Sequence, residues 1–206
     1  MVSPELPSLI SSGHHRVSLS WTASPGANYY NVWRATMYPD GVGGFYSLKT
    51  ILLDDAAAGT TYTDNSPTDG RHYSYYVEAV CAGGVSPASA AVAAHPLPPA
   101  PQDAPEALSG AWTKTKTGHA VTLNWSPVSG ATGYVIYRTI SPDMTFNWPE
   151  NFLTALVETT YTDKGNTDKN AKVKGLDDTT EYYYRVTAVN AGGISASSAF
   201  RVPVPK

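Results

Sequence analysis

Val121-Thr-Leu-Asn-Trp125, followed by Gly130-Ala-Thr-Gly-Tyr-Val-Ile-Tyr-Arg138, repeats an earlier stretch of the same chain, Val17-Ser-Leu-Ser-Trp21 with Pro25-Gly-Ala-Asn-Tyr-Tyr-Asn-Val-Trp-Arg34. Trp21 and Trp125 lie 104 positions apart, longer than a solenoid or propeller period and close to the size of one small domain. Two more matches hold the register: Thr60-Thr-Tyr-Thr-Asp64 returns as Thr159-Thr-Tyr-Thr-Asp163, and Tyr75-Tyr-Val-Glu-Ala-Val-Cys-Ala-Gly-Gly84 as Tyr184-Arg-Val-Thr-Ala-Val-Asn-Ala-Gly-Gly193. Between these anchors the offset falls to 99 and then rises to 109, which assigns the length changes to loops. The chain is a tandem of two domains.

Within each copy the apolar spacing is that of strands. Val17, Leu19 and Trp21 alternate with Ser18 and Ser20, and Val121, Leu123 and Trp125 with Thr122 and Asn124, the period of a strand with one buried face. Tyr73, Tyr75, Val77 and Ala79 form a second such row, repeated by Tyr182, Tyr184, Val186 and Ala188. Pro25-Gly26, Asp40-Gly41, Gly43-Gly44, Pro67, Asp69-Gly70, Gly83-Gly84 and Gly192-Gly193 punctuate the rows at the short intervals of a sandwich. Residues 151 to 159 read as a short helical or extended insertion, and no longer amphipathic helix stands between the rows. The class is all-β. Residues 1–95 form the first domain and 106–206 the second, and the proline-rich stretch 96–105 between them reads as a semi-rigid, extended spacer.

Composition narrows the functions open to such a chain. Its 206 residues split into halves of about 100, room for one modest core each but not for a deep enzyme pocket as well. Basic residues number 14 against 17 acidic ones, without the positive stripe of a nucleic-acid binder. The first half, to Leu97, carries 4 basic and 7 acidic residues; the second is balanced at 10 and 10. No stretch approaches the roughly 18 apolar residues of a membrane span, and the N-terminus lacks the profile of a signal peptide. The single cysteine, Cys81, excludes an internal disulfide framework and is matched by Asn190 in the second half, so it reads as a small residue at a strand end.

The repeated tryptophan, the Gly-Ala-Thr-Gly-Tyr-Val-Ile-Tyr-Arg run, the Thr-Tyr-Thr-Asp segment and Thr180-Glu-Tyr-Tyr-Tyr-Arg-Val-Thr-Ala-Val-Asn-Ala-Gly-Gly193 resemble fibronectin type III domains, two copies of which cover nearly all of the chain. The copies are similar to those of secreted bacterial polysaccharide-degrading enzymes and cell-surface proteins. The resemblance implies two seven-stranded, immunoglobulin-like β-sandwiches, with Trp21 and Trp125 in the cores and Tyr73 and Tyr182 as corner tyrosines bonded back to the chain. Asp69-Gly-Arg-His72 precedes the first corner tyrosine where the second copy has Asp178-Thr-Thr-Glu181. Neither half contains Arg-Gly-Asp, so the integrin-binding role of animal members has no motif here.

Catalysis needs converging groups, and the sequence offers no convincing set. His14-His15, placed in a strand, would point its rings to opposite faces, with no carboxylate or second ligand at a usual spacing. Asn166, Asp168 and Asn170 alternate as in a calcium loop, but the glycine and closing glutamate are missing and Lys164, Lys169, Lys172 and Lys174 surround them. Asp54-Asp55 reads as a solvated turn. No metal and no cofactor is expected.

The remaining candidates are the aromatic residues, 14 tyrosines and 5 tryptophans among them, most of which belong to the cores. With Tyr134 and Ile136 inward, Tyr137 faces out beside Tyr183 and Arg185 of the neighbouring strand; Trp33 and Tyr76 are the equivalent pair in the first half. Phe146, Trp148 and Phe152 cluster in an insertion that caps the sandwich edge or meets a ligand. The expected function is a non-catalytic spacer and interaction module of a larger secreted, extracellular or cell-surface bacterial protein, a polysaccharide-degrading enzyme, from which this chain is a monomeric segment. Its partners are then neighbouring modules of that protein. The alternatives are polysaccharide binding through Trp33, Tyr76, Tyr137, Tyr183, Arg185 and Trp148, or an adhesion segment that meets a protein.

Overall fold

The structure, a computed structural model, describes residues 5, 7–115, 118–147, 149–165 and 175–205. It divides into two compact units, Met1–Pro98 and Pro99–Lys206. No helix is present among the described residues, and hence none is long and apolar enough to cross a membrane.

In the first unit β1 (Ser8–Gly13), β2 (Arg16–Ser20) and β5 (Thr61–Asp64) form one antiparallel sheet in the order β1-β2-β5. The facing sheet contains β4 (Phe45–Ala57), β3 (Tyr29–Pro39) and β6 (His72–Cys81) in that order, and both β7 (Gly84–Val85) and β8 (Val92–Ala94) pair with the free edge of β6. The second unit repeats the plan. Its first sheet runs β13 (Thr160–Asp163), β10 (Gly118–Asn124), β9 (Ser109–Thr115), and its second β12 (Phe152–Leu156), β11 (Gly133–Thr139), β14 (Tyr182–Asn190), β15 (Gly193–Val202). Among the described residues, the second unit has the seven strands of the sandwich; in the first, the seventh is broken into β7 and β8.

The break has a local cause. Between β7 and β8 the chain carries Ser86-Pro-Ala-Ser89, and a proline inside a strand cannot donate to the ladder. Ser86 and Ser89 substitute for it: their hydroxyl oxygens accept from the Ala79 and Val77 amides at 2.9 and 3.0 Å, while their own amides donate to the Ala79 and Val77 carbonyls. Ser195 does the same for the Ala188 amide at 3.0 Å in the second unit, at an irregularity in the β14–β15 pairing.

Alternation sets the two cores. Val17, Leu19, Val32, Tyr75 and Val77 are fully buried in the first, as are Val121, Leu123, Ile136, Tyr184 and Val186 in the second. Burial of each such side chain contributes roughly 1.5–3 kcal/mol. Trp21 packs edge-on against Tyr30 with ring centroids 5.4 Å apart, and Trp125 against Tyr134 at the same distance. The tyrosine hydroxyls then accept from the backbone of the loop before them, from Ser24 N at 2.8 Å and Val128 N at 2.9 Å. That loop turns tightly in both units: Ala27 N reaches Ser24 O and Ala131 N reaches Val128 O, with Gly26 at φ +77° and Gly130 at φ +74° in the third position, where a side chain would be strained.

Both corner tyrosines are formed: Thr68 N donates to the Tyr73 hydroxyl at 2.9 Å and Asp177 N to that of Tyr182 at 3.0 Å. The different residues before Tyr73 do not disturb its corner. Residues 152–156 are the extended strand β12. The Asp54-Asp55 turn expected from sequence is not there: both residues lie within β4, where Asp54 pairs with Val32 at a register irregularity and its carboxylate accepts from Ala56 N at 2.9 Å. As an edge strand, β4 keeps one margin in solvent and so tolerates two successive acids. The proline-rich stretch contributes to both units. The Pro96 carbonyl accepts from Gly70 N at 2.8 Å, and the Pro99 carbonyl accepts from Asn190 Nδ2 at 2.8 Å.

Candidate functional site

Three groups of side chains outside the cores have geometry that bears on function. The first lies on the outer face of β3 and β6. Trp33 pairs directly with Tyr76, and the rings stack at a centroid distance of 6.0 Å with an angle of 11° between planes. Glu78, two residues on and on the same face, accepts from the Trp33 indole at 2.9 Å and from Asn31 Nδ2 at 3.4 Å. Burial and then the nearby Glu78 charge raise the Tyr76 phenol above its ordinary value, so the ring remains neutral. The result is a half-buried pair of parallel rings beside a carboxylate.

The equivalent place in the second unit holds a different cluster. Tyr137 pairs with Arg185 of β14 and with Phe152 of β12. The guanidinium lies over the Tyr137 ring at 4.4 Å and over Phe146 at 4.9 Å, while Phe146 and Phe152 meet Tyr137 edge-on at 6.5 and 6.1 Å. Phe146 and Phe152 thus cover the outer face at Tyr137. Tyr183 does not join them. It is 6% exposed, pairs with Thr139 and Arg201, and donates its hydroxyl to Glu181. Glu181 in turn is paired with Arg201. Tyr183 is thus buried, where the sequence reading places it facing out beside Tyr137. Trp148, and the Asn166, Asp168 and Asn170 series, lie outside the described residues.

The third group was not legible as a site. His14 and His15 occupy the two-residue turn between β1 and β2, Gly13 pairing with Arg16, and so their rings are not split across a strand as expected. The rings lie 4.1 Å apart, and both approach Asp69, which the loop between β5 and β6 supplies. Asp69 takes His14 Nδ1 at 2.5 Å on one oxygen and the His15 amide at 2.8 Å on the other. Desolvation works to raise the Asp69 carboxyl; the His15 amide, the His14 ring and the charges of both histidines outweigh it, and it titrates below the usual carboxylate range. Asp69 stands 55 positions from His14, a separation no local motif reveals.

A cavity of about 400 Å³ opens in the first unit between β1 and the β6–β8 edge. Leu9, Met37, Phe45 and Ala94 line it, with His72 stacked on His95 at 3.8 Å and against Phe45 at 4.6 Å. Cys81, at the end of β6, is a free thiol whose sulfur accepts from Gly83 N at 3.2 Å.

Comparison with known proteins accounts for both units. Residues 8–96 match the family model described as fibronectin type III domain SaeA third domain, and residues 103–203 match the fibronectin type III domain model. This chain belongs to the fibronectin type III family. Among solved structures, the two fibronectin type III domain segment of chicken tenascin is similar with a TM-score of 0.51 at 12% identity, covering 98% of this chain and 99% of that one. Among curated proteins, the amylopullulanase of Thermoanaerobacterium saccharolyticum is 34% identical over 82 residues, 39% of this chain and 6% of that protein. The amylopullulanase of Thermoanaerobacterium thermosulfurigenes is 30% identical over 103 residues, 47% of this chain and 5% of its own length. The fibronectin type III tandem therefore spans only a small part of the curated relatives that it matches.

Membership in the family assigns Trp21, Trp125, Tyr73 and Tyr182 to the architecture of the fibronectin type III sandwich, where the structure places them. It does not assign Trp33, Tyr76, Tyr137 or Arg185, nor the histidine turn; those surfaces differ between the two domains while the cores repeat.

Proposed function

We propose that this tandem is a non-catalytic spacer and interaction segment of a larger secreted bacterial protein that degrades polysaccharide, where it holds a catalytic or sugar-binding module at a set distance. The observation that supports this reading is the match to short segments of two amylopullulanases, 6% and 5% of their lengths. An extracellular location and neighbouring modules of the same chain as partners follow from it. The prolines of residues 96–105 suit the role, since a Pro-rich segment extends about 3.1 Å per residue and bends less than a Gly/Ser tether.

Carbohydrate binding is the second reading, and the Trp33–Tyr76 pair favours it. Two parallel rings offer a flat apolar face of the kind on which a sugar ring stacks, and Glu78 beside them is an acceptor for hydroxyls. Affinity electrophoresis of the chain against soluble starch, pullulan, xylan and other polysaccharides, with Trp33→Ala alongside, separates the two. A spacer migrates unretarded in every gel. Retardation by one polymer that Trp33→Ala abolishes replaces the spacer reading with a glycan-binding domain.

A further inference from the structure

We propose that His14, His15 and Asp69 form a zinc-binding site on the surface of the first domain. Each residue offers a ligand atom, and the three atoms lie within 4.8 Å of one another. Tetrahedral zinc, with bonds of about 2.0–2.2 Å, spaces its ligands about 3.3 Å apart. Small rotations of two solvent-exposed imidazoles close that difference; the histidine side chains are 57% and 56% exposed.

The residues are also held as ligands are held. His15 Nδ1 stands 3.1 Å from the Pro67 carbonyl, so Nδ1–H donates there and Nε2 carries the lone pair. A ring nitrogen fixed on a backbone carbonyl is the usual outer-shell support of a metal-bound histidine. Asp69 is oriented in the same manner by the His15 amide, at 2.8 Å. These two bonds hold His15 at φ +50°, a left-handed conformation that a non-glycine residue seldom adopts.

Charge and donor chemistry favour a transition-metal dication over calcium or magnesium, and zinc accepts this donor set without a geometric demand of its own. Two neutral imidazoles and one carboxylate carry a net charge of −1 towards a dication, in a half-chain with 4 basic and 7 acidic residues. Imidazole nitrogen suits zinc, copper and nickel, whereas calcium and magnesium prefer all-oxygen sites. Solvent water completes the fourth position at so exposed a turn. On binding, zinc takes the place of the proton that lies between His14 Nδ1 and Asp69; as Nδ1 gives up that proton Nε2 takes one from solvent, so the ring stays neutral and no net proton is released.

Titration of the untagged chain with zinc chloride at pH 7.5, followed by calorimetry and by the ¹⁵N spectra of the histidine rings, tests the site. The expected result is one ion per chain, with the His14 and His15 ring signals shifted and those of His72, His95 and His119 unmoved. Asp69→Asn keeps an acceptor for the His15 amide but loses the charge, and should bind at least about tenfold more weakly, the lower end of what even an outer-shell loss costs. His72→Gln, which breaks the His72–His95 stack, should bind as the parent does. Three results overturn the proposal: no heat and no ring shifts in the parent chain, shifts centred on His72 and His95, or unchanged affinity in Asp69→Asn. The ring spectra of the parent decide the matter even where a variant folds poorly.

Discussion

Arg34 Nη1 stands 2.7 Å from Asp64 Oδ2, and the second domain repeats the pair as Arg138 and Asp163 at 2.8 Å. Each carboxylate oxygen also accepts a buried tyrosine hydroxyl, from Tyr75 at 2.9 Å and Tyr184 at 2.8 Å. The aspartates close β5 and β13 in one sheet, whereas the arginines and tyrosines come from β3, β6, β11 and β14 in the other. The triad thus pins the two sheets of each sandwich together. Each arginine also lies over its corner tyrosine, Arg34 over Tyr73 at 5.0 Å and Arg138 over Tyr182 at 5.6 Å.

Removing the carboxylate charge leaves a guanidinium in the sandwich without its partner. Asp64→Asn should therefore destabilise the first domain by about 3–5 kcal/mol. Asp163→Asn takes the same partner from Arg138 and should destabilise the second domain in the same way. Urea unfolding of the full chain, followed for each variant, checks both losses.

Titration of Asp64 gives the first domain a pH dependence of known sign. Burial raises its carboxyl, but the Ser66 hydroxyl and amide, the Tyr75 hydroxyl and the Arg34 charge more than compensate, and the folded group titrates below its ordinary value. Because the unfolded chain takes up this proton first, near pH 3.9, the stabilisation is fully present above about pH 5 and drains as pH falls through the folded value. Urea midpoints should hold from pH 7 to 5 and fall below pH 4, by less in Ser66→Ala, which lifts the folded value back towards the unfolded one.

The corner tyrosines offer a cleaner deletion, since Phe keeps the ring and removes one acceptor. Tyr73→Phe strands the Thr68 amide and Tyr182→Phe the Asp177 amide. Each should cost about 1–3 kcal/mol and speed hydrogen exchange at the stranded amide well before it changes exchange in the neighbouring strands.

Alternating apolar residues made β2, β6, β10 and β14 legible, and the corner tyrosines followed from the resemblance. Strand β4 was not legible, because as an edge strand it buries little and Phe45-Tyr-Ser-Leu-Lys-Thr50 carries no clean alternation. The Arg34–Asp64–Tyr75 triad escaped notice for another reason. Its members are ordinary strand residues until the sandwich closes, and the repeated Thr-Tyr-Thr-Asp segment was the one signal that a buried acid stood there. Asp69 and the histidine turn meet only through the chain's return from β5, so composition and spacing near His14 had nothing to report.

Trp33 decides whether the outer face can be tested without damage to the fold. The indole is half-buried, stacks on Tyr76 and donates to Glu78, and it makes no contribution to the core cluster between the sheets. Its replacement by alanine removes one aromatic pair, worth about 0.5–1.5 kcal/mol beyond area, and one cross-strand contact, worth about 0.2–1 kcal/mol. Trp33→Ala should thus unfold at a urea concentration only slightly below that of the parent chain, with its circular dichroism unchanged. Trp125→Ala, which empties a buried site packed on Tyr134, should lose about 3–5 kcal/mol. A Trp33→Ala loss as large as that of Trp125→Ala would mean that the outer rings brace the sheet, and that retardation lost in the variant reports on folding instead of on a bound sugar.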